Sequence, residues 1–131
     1  WLREFRPDYM PGETGLDRFV DYQKPVDFIG KRAVLDEKEQ GPERKLCTFV
    51  VEATDADVHG DEPIWVGGDV VGFVTSGGFA HYCNVSVAIG FLPVALISEG
   101  REVEIEILGE RRNARLIAEP LFDPKGECMR G

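Results

Sequence analysis

The chain has 131 residues, a size that fits one domain and lets folding hide roughly two-thirds of the extended surface. It is 43% hydrophobic and 30% charged, which excludes a disordered polypeptide. The net charge of -9 excludes a nucleic-acid or anionic-membrane binder, both of which need a basic face, and no apolar run is long enough to span a bilayer.

Residues 1–26 read as an irregular arm. Pro7, Pro11, Gly12, Gly15 and Pro25 break any regular pattern, and only Leu16 to Val20 has the look of a short strand. The first residue is Trp rather than Met, which reads as a cut, so a longer parent is expected. Asp27 is the expected N-cap of a helix running to about Gln40. Phe28 with Leu35 and Ile29 with Ala33 form its apolar face, and Gly41-Pro42 stops it. Its outer face, with Lys31, Arg32, Asp36, Glu37, Lys38 and Glu39, reads as solvated surface.

From Lys45 the period changes to two. Cys47, Phe49 and Val51 share one strand face. After a Gly67-Gly68 turn, Val71, Phe73 and Thr75 share another. In the next strand Val85, Val87, Ile89 and Phe91 alternate with Asn84, Ser86, Ala88 and Gly90, a small-residue face that lets another segment come close. Val103, Ile105 and Ile107 alternate with Glu102, Glu104 and Glu106, the pattern of a half-buried strand. A two-residue turn at Gly109-Glu110 sets Glu104 opposite Arg115, Ile105 opposite Ala114 and Val103 opposite Leu116. The fold class expected is mostly β: a small antiparallel Greek-key-type barrel of about six strands, preceded by one helix and the arm. Residues 1–42 are assigned to the end of an upstream region and residues 43–131 to the barrel.

The residues themselves carry no complete active site. The three cysteines, Cys47, Cys83 and Cys128, are odd in number and widely spaced, so they suggest a reducing compartment and no disulfide framework. Cys47 reads as a small buried hydrophobe, and Cys83 has only His81 nearby in sequence. His59 among Asp55, Asp57, Asp61 and Glu62 reads as an acidic turn, and no zinc spacing is present, so no metal is expected. The glycines form neither a dinucleotide fingerprint nor a phosphate loop.

Five segments in order resemble one family. They are PGETGLDRFV (11–20), DFIGKRA (27–33), VGFVTSG (71–77), SVAIGFLP (86–93) and EPLFDPKG (119–126). Together they are similar to the C-terminal barrel of the folate-dependent aminomethyltransferases, including the glycine cleavage T-protein. The openings REFRPDY and GLDRFVDYQKPVDFIG look most like the C-terminal end of the FAD-dependent sarcosine and dimethylglycine dehydrogenases. The resemblance implies a parent with FAD-binding and tetrahydrofolate-binding regions upstream, oxidising an N-methyl amine and passing its one-carbon unit to folate. It implies no catalytic residue in this chain. Tyr22, Lys24 and Arg130 are the residues it places at the folate site, although Glu127-Cys128-Met129 departs from the family's basic tail. It further implies cytoplasmic residence in a bacterium or the mitochondrial matrix in a eukaryote. The alternatives are the end of a T-protein aminomethyltransferase without flavin, or an accessory barrel without chemistry.

Overall fold

The computed structural model describes residues 2–131, and Trp1 lies outside them. Six antiparallel strands close on themselves: β1 (Arg44–Val51), β2 (Pro63–Val66), β3 (Asp69–Ala80), β4 (Val85–Pro93), β5 (Glu102–Ile107) and β6 (Glu110–Ile117). Their order round the barrel is β1-β4-β3-β2-β5-β6. Hairpins join β2, β3 and β4, and the long 52–62 connection from β1 to β2 lets β1 lie beside β4, which is the Greek-key arrangement the sequence predicts. The helices are α1 (Pro11–Thr14), α2 (Lys31–Gln40) and the terminal α3 (Glu127–Arg130).

Two strands follow their alternation directly. Cys47, Phe49 and Val51 of β1 and Val103, Ile105 and Ile107 of β5 all face the core. On β4 the inward face is the small one, Ser86, Ala88 and Gly90. A Cβ on Gly90 would stand 2.6 Å from the Phe73 carbonyl oxygen and 2.9 Å from Ile64 Cδ1. The opposing Phe49, Ile64 and Ile105, all fully buried, fill that space.

On β3 the predicted face breaks. Val74, not Phe73, is wholly buried, and Thr75 is buried beside it. Two irregularities cause this. Ile64 pairs with Gly72 while Trp65 pairs with Val70, and Val74 pairs with Gly90 while Ser76 pairs with Ile89. Each leaves one extra residue on β3 and re-phases the side chains, which strict alternation cannot show. The Thr75 hydroxyl donates to the Ile89 carbonyl at 3.0 Å and so serves the disturbed ladder.

The β5–β6 hairpin turns one residue earlier than the sequence suggests. Leu108 (φ 51) and Gly109 (φ 83) are its central residues, and the register sets Glu102 opposite Arg115, Val103 opposite Ala114 and Glu104 opposite Asn113. Two consecutive positive φ angles are the type I′ geometry, whose twist matches that of the flanking strands. The register moves by two residues, an even step, so every side chain keeps its predicted face. Glu104 pairs with Arg111 at 3.6 Å rather than with Arg115. Leu108 is 87% exposed and in a left-handed conformation that suits Asn. Leu108→Asn is expected to stabilise the barrel by about 1 kcal/mol. A denaturant midpoint that stayed put or fell would show that the turn is unstrained.

The pre-barrel segment departs most from expectation. Leu16–Val20 is not a strand: Asp17–Phe19 forms a 3-10 turn, with no neighbouring strand to pair. The helix begins at Lys31, because Gly30 has φ 88 and cannot continue a right-handed helix toward Asp27. The Asp27 carboxylate accepts from the Phe28 N–H instead. The predicted apolar face is exposed at Ile29 and Leu35, and Val34 is the buried residue of α2. Gly41 ends the helix as expected, its N–H donating to the Glu37 carbonyl at 2.7 Å.

Candidate functional site

Arm, α2 and the start of β1 enclose a groove of about 420 Å³. Asp17, Arg18 and Tyr22 come from the arm, Glu37 and Lys38 from α2, and Lys45 from β1. Three cations against two carboxylates leave this groove net positive, although the chain as a whole carries -9. A locally positive cleft draws an anionic ligand toward it.

The walls are tied to one another. Glu37 Oε2 accepts from the Gly12 N–H at 3.1 Å, which joins α2 to the arm. Lys38 Nζ lies 4.1 Å from the centre of the Tyr22 ring, a cation–π contact that holds the ring against α2. Desolvation, followed by the Asp17 and Glu37 carboxylates, pushes the Tyr22 hydroxyl above its ordinary pKa. It therefore stays a neutral hydrogen-bond donor across the physiological range.

The arm is fixed to the barrel at two places. Arg3 donates to the Thr75 carbonyl at 3.1 Å, at the β3 bulge. Further along, Glu13 accepts from Arg44 Nε at 2.7 Å, and Tyr9 packs on Phe91 with ring centroids 4.6 Å apart. Phe91, at the end of β4, is thus covered by the arm.

The three residues assigned to a folate site do not converge. Tyr22 lines the groove. Lys24, two residues on, is exposed, and its carbonyl accepts from Lys31 Nζ at 2.6 Å. Arg130 is exposed on α3. The tail leading to α3 starts at Phe122, which packs edge-on against Tyr82 at 4.5 Å. That contact is at the β3–β4 turn, the far end of β4 from the groove. The residues that sequence reasoning missed are Glu37 and Lys38, assigned there to solvated surface, with Asp17, Arg18 and Lys45. Nothing in the spacing along α2 separates Glu37 and Lys38 from their charged neighbours. Glu13 did carry a signal, its place in the PGET segment.

Cys47 is buried in the core, and burial pushes its thiol up to about 11. Cys83 is partly buried and Cys128 exposed. At mildly alkaline pH a thiol reagent is expected to modify Cys128 and Cys83, and Cys47 only after unfolding, since the neutral thiol is a poor nucleophile. Fast modification of Cys47 in the native chain, read by mass spectrometry, would contradict its core placement. His81 stacks on the edge of Phe79 at 5.0 Å rather than against a nucleophile. Among the described residues, no group of three His, Cys, Asp or Glu side chains is placed to hold a metal ion.

The donor set of the groove fits a tetrahydrofolate-type ligand in part. Arg18, Lys38 and Lys45 suit its carboxylates, and Tyr22 offers a ring and a hydroxyl. Among the described residues, no glycine-rich phosphate loop of the kind that holds the pyrophosphate of FAD lies between a strand and a helix.

Residues 44–123 match the family described as the glycine cleavage T-protein C-terminal barrel domain. The chain is 42% identical over 121 residues to the mitochondrial dimethylglycine dehydrogenase of Mus musculus, covering 92% of this chain and 14% of that protein. It is 40% identical over 120 residues to an aminomethyltransferase of Symbiobacterium thermophilum, covering 91% of this chain and 32% of that protein. Among solved structures, the glycine cleavage system aminomethyltransferase T of Bartonella henselae superposes with a TM-score of 0.84 at 28% identity. That match covers 93% of this chain and 34% of the other. The chain therefore spans between about one-seventh and one-third of the length of these relatives.

Proposed function

This chain belongs to the glycine cleavage T-protein C-terminal barrel family, and on that premise we propose that it is the C-terminal part of an FAD- and tetrahydrofolate-dependent demethylase of dimethylglycine or sarcosine. The observation that carries the proposal is the 42% identity to dimethylglycine dehydrogenase across 92% of the chain. Its relatives are enzymes, and in them this barrel is one portion of a longer protein. Residues 1–42 are then the end of the folate-binding region, which lies mainly upstream, and the flavin is held by a domain further upstream.

When bound, tetrahydrofolate supplies the acceptor for the one-carbon unit released by amine oxidation. The part played by this chain is to line and support that site. Tyr22 donates its hydroxyl, and the cations of the groove hold carboxylate. Lys24 and Arg130 are the further contacts proposed, brought in where the upstream region packs against the arm and the tail. A eukaryotic parent belongs in the mitochondrion, in keeping with the name of its mouse relative, and there in the matrix; a bacterial one belongs in the cytoplasm.

The second reading, a T-protein aminomethyltransferase without flavin, is favoured by the 40% identity to the Symbiobacterium protein. Purification of the longer protein separates the readings. Retained flavin absorbance, bleached by dimethylglycine or sarcosine, with methylenetetrahydrofolate formed when folate is added, supports the demethylase. A flavin-free protein that still transfers an aminomethyl carbon to folate supports the T-protein. A protein with neither activity is an accessory module.

A further inference from the structure

Among the charged side chains of the described residues, Glu13 is the buried one. Both its carboxylate oxygens are used. Oε1 accepts from Arg44 Nε at 2.7 Å, and Oε2 accepts from the Met10 N–H at 2.8 Å. The Arg44 guanidinium lies over two rings, 5.0 Å from the centre of Tyr9 and 5.2 Å from that of Phe91. Arg44 opens β1 and is paired across the ladder with Pro93, so its backbone is placed by the barrel while its side chain reaches the arm.

From Glu13 the arm runs to the groove through consecutive local hydrogen bonds. The Leu16 N–H donates to the Pro11 carbonyl at 2.9 Å, Phe19 to Leu16 at 2.9 Å, Val20 to Asp17 at 3.0 Å and Tyr22 to Val20 at 3.1 Å. Adjacent to Glu13, the Gly12 N–H is held by Glu37. Neither Glu13 nor Arg44 lines the groove. The other tether to the barrel, Arg3 at Thr75, precedes α1 in the chain and does not touch residues 15–22.

We infer that Glu13 and Arg44 are a positioning pair through which strand β1 sets the place of the Asp17–Tyr22 wall of the groove. Without Arg44, the largely buried Glu13 carboxylate keeps only the Met10 N–H as its partner, a loss larger than that of a fully exposed ion pair. Removing either charge therefore releases α1 and, through the hydrogen-bonded run, the wall that carries Tyr22. The barrel then contributes to ligand binding mechanically, without touching the ligand. That last step alone rests on the groove being part of the folate site.

The test has two parts. In the 131-residue chain, Arg44→Met and Glu13→Gln are compared with the parent sequence by amide hydrogen exchange. Exchange at Gly12, Leu16, Phe19 and Val20 is expected to quicken by about tenfold or more while Ala88 and Ile105 stay unchanged, because local opening uncouples from the global kind. Arg44→Lys, which keeps the charge, is expected to recover part of the protection. Unchanged arm amides, or equal acceleration of arm and strands, would overturn the inference. Glu13→Gln keeps the side-chain volume and serves if Arg44→Met does not fold. In the longer protein, the Kd for tetrahydrofolate is expected to weaken by about tenfold in the same variants, with kcat at saturating folate preserved. If the arm loosens but the Kd does not move, the positioning role stands and the folate assignment of the groove falls.

Discussion

Gly72→Val is expected to destabilise the barrel by about 3 kcal/mol, at the upper end of what overpacking ordinarily costs. A Cβ at this position would overlap the carbonyl oxygen of Phe91, reach its carbonyl carbon at 3.2 Å and stand 3.5 Å from Leu92 Cδ2. The first two are backbone atoms of β4, which is itself locked by eight pairs to β1 and cannot step aside alone. Valine's greater preference for strands, at most about 1 kcal/mol, does not offset that overlap. Urea denaturation of the variant measures the difference, and an unaltered midpoint would mean that β3 and β4 are further apart than described.

Ile64→Ala is the second large effect, expected to cost about 3–4 kcal/mol. Ile64 is fully buried in the shortest strand, and it forms part of the seam that closes the barrel. The seam between β2 and β5 consists of two pairs, Ile64 with Ile105 and Trp65 with Glu104. The cavity left by truncation therefore falls where the ladder has least to hold it. The loss should be visible twice, as a lowered melting temperature and as faster amide exchange at Trp65 and Ile105 relative to β1. A cost no greater than that of a surface change would show that the seam collapses to fill the void.

How far the sequence could be read depended on how local the cause was. Period-two burial on β1 and β5 needs only side chains and a pleat, and both strands follow it. Gly67-Gly68 and Gly41 were legible because each acts where it stands, with positive φ angles that end or reverse an element. The β3 phase was hidden because Thr75 is extra only relative to β4, a partner strand that the pattern along β3 does not contain. The β5–β6 turn offered two neighbouring two-residue solutions, and the exposed Leu108 gave no hint that it would take the left-handed conformation. At the groove, Tyr22 was reached through its resemblance to a family. Glu37 and Lys38 were not, because the groove joins segments separated in sequence, and a charged helix face looks the same whether water or another wall stands opposite.

The closed sheet has one further bearing, on behaviour in concentrated solution. A barrel without an open border offers no row of free backbone groups for a second molecule to extend, so the native chain is protected from strand-by-strand accretion. That protection is only as durable as the two-pair seam. Parting β2 from β5 would expose two borders at once, each complementary to the other border of a second copy. Exchange of strands between molecules, and the aggregates that grow from it, should therefore begin at Ile64 and Ile105 rather than at the eight-pair junction of β1 with β4.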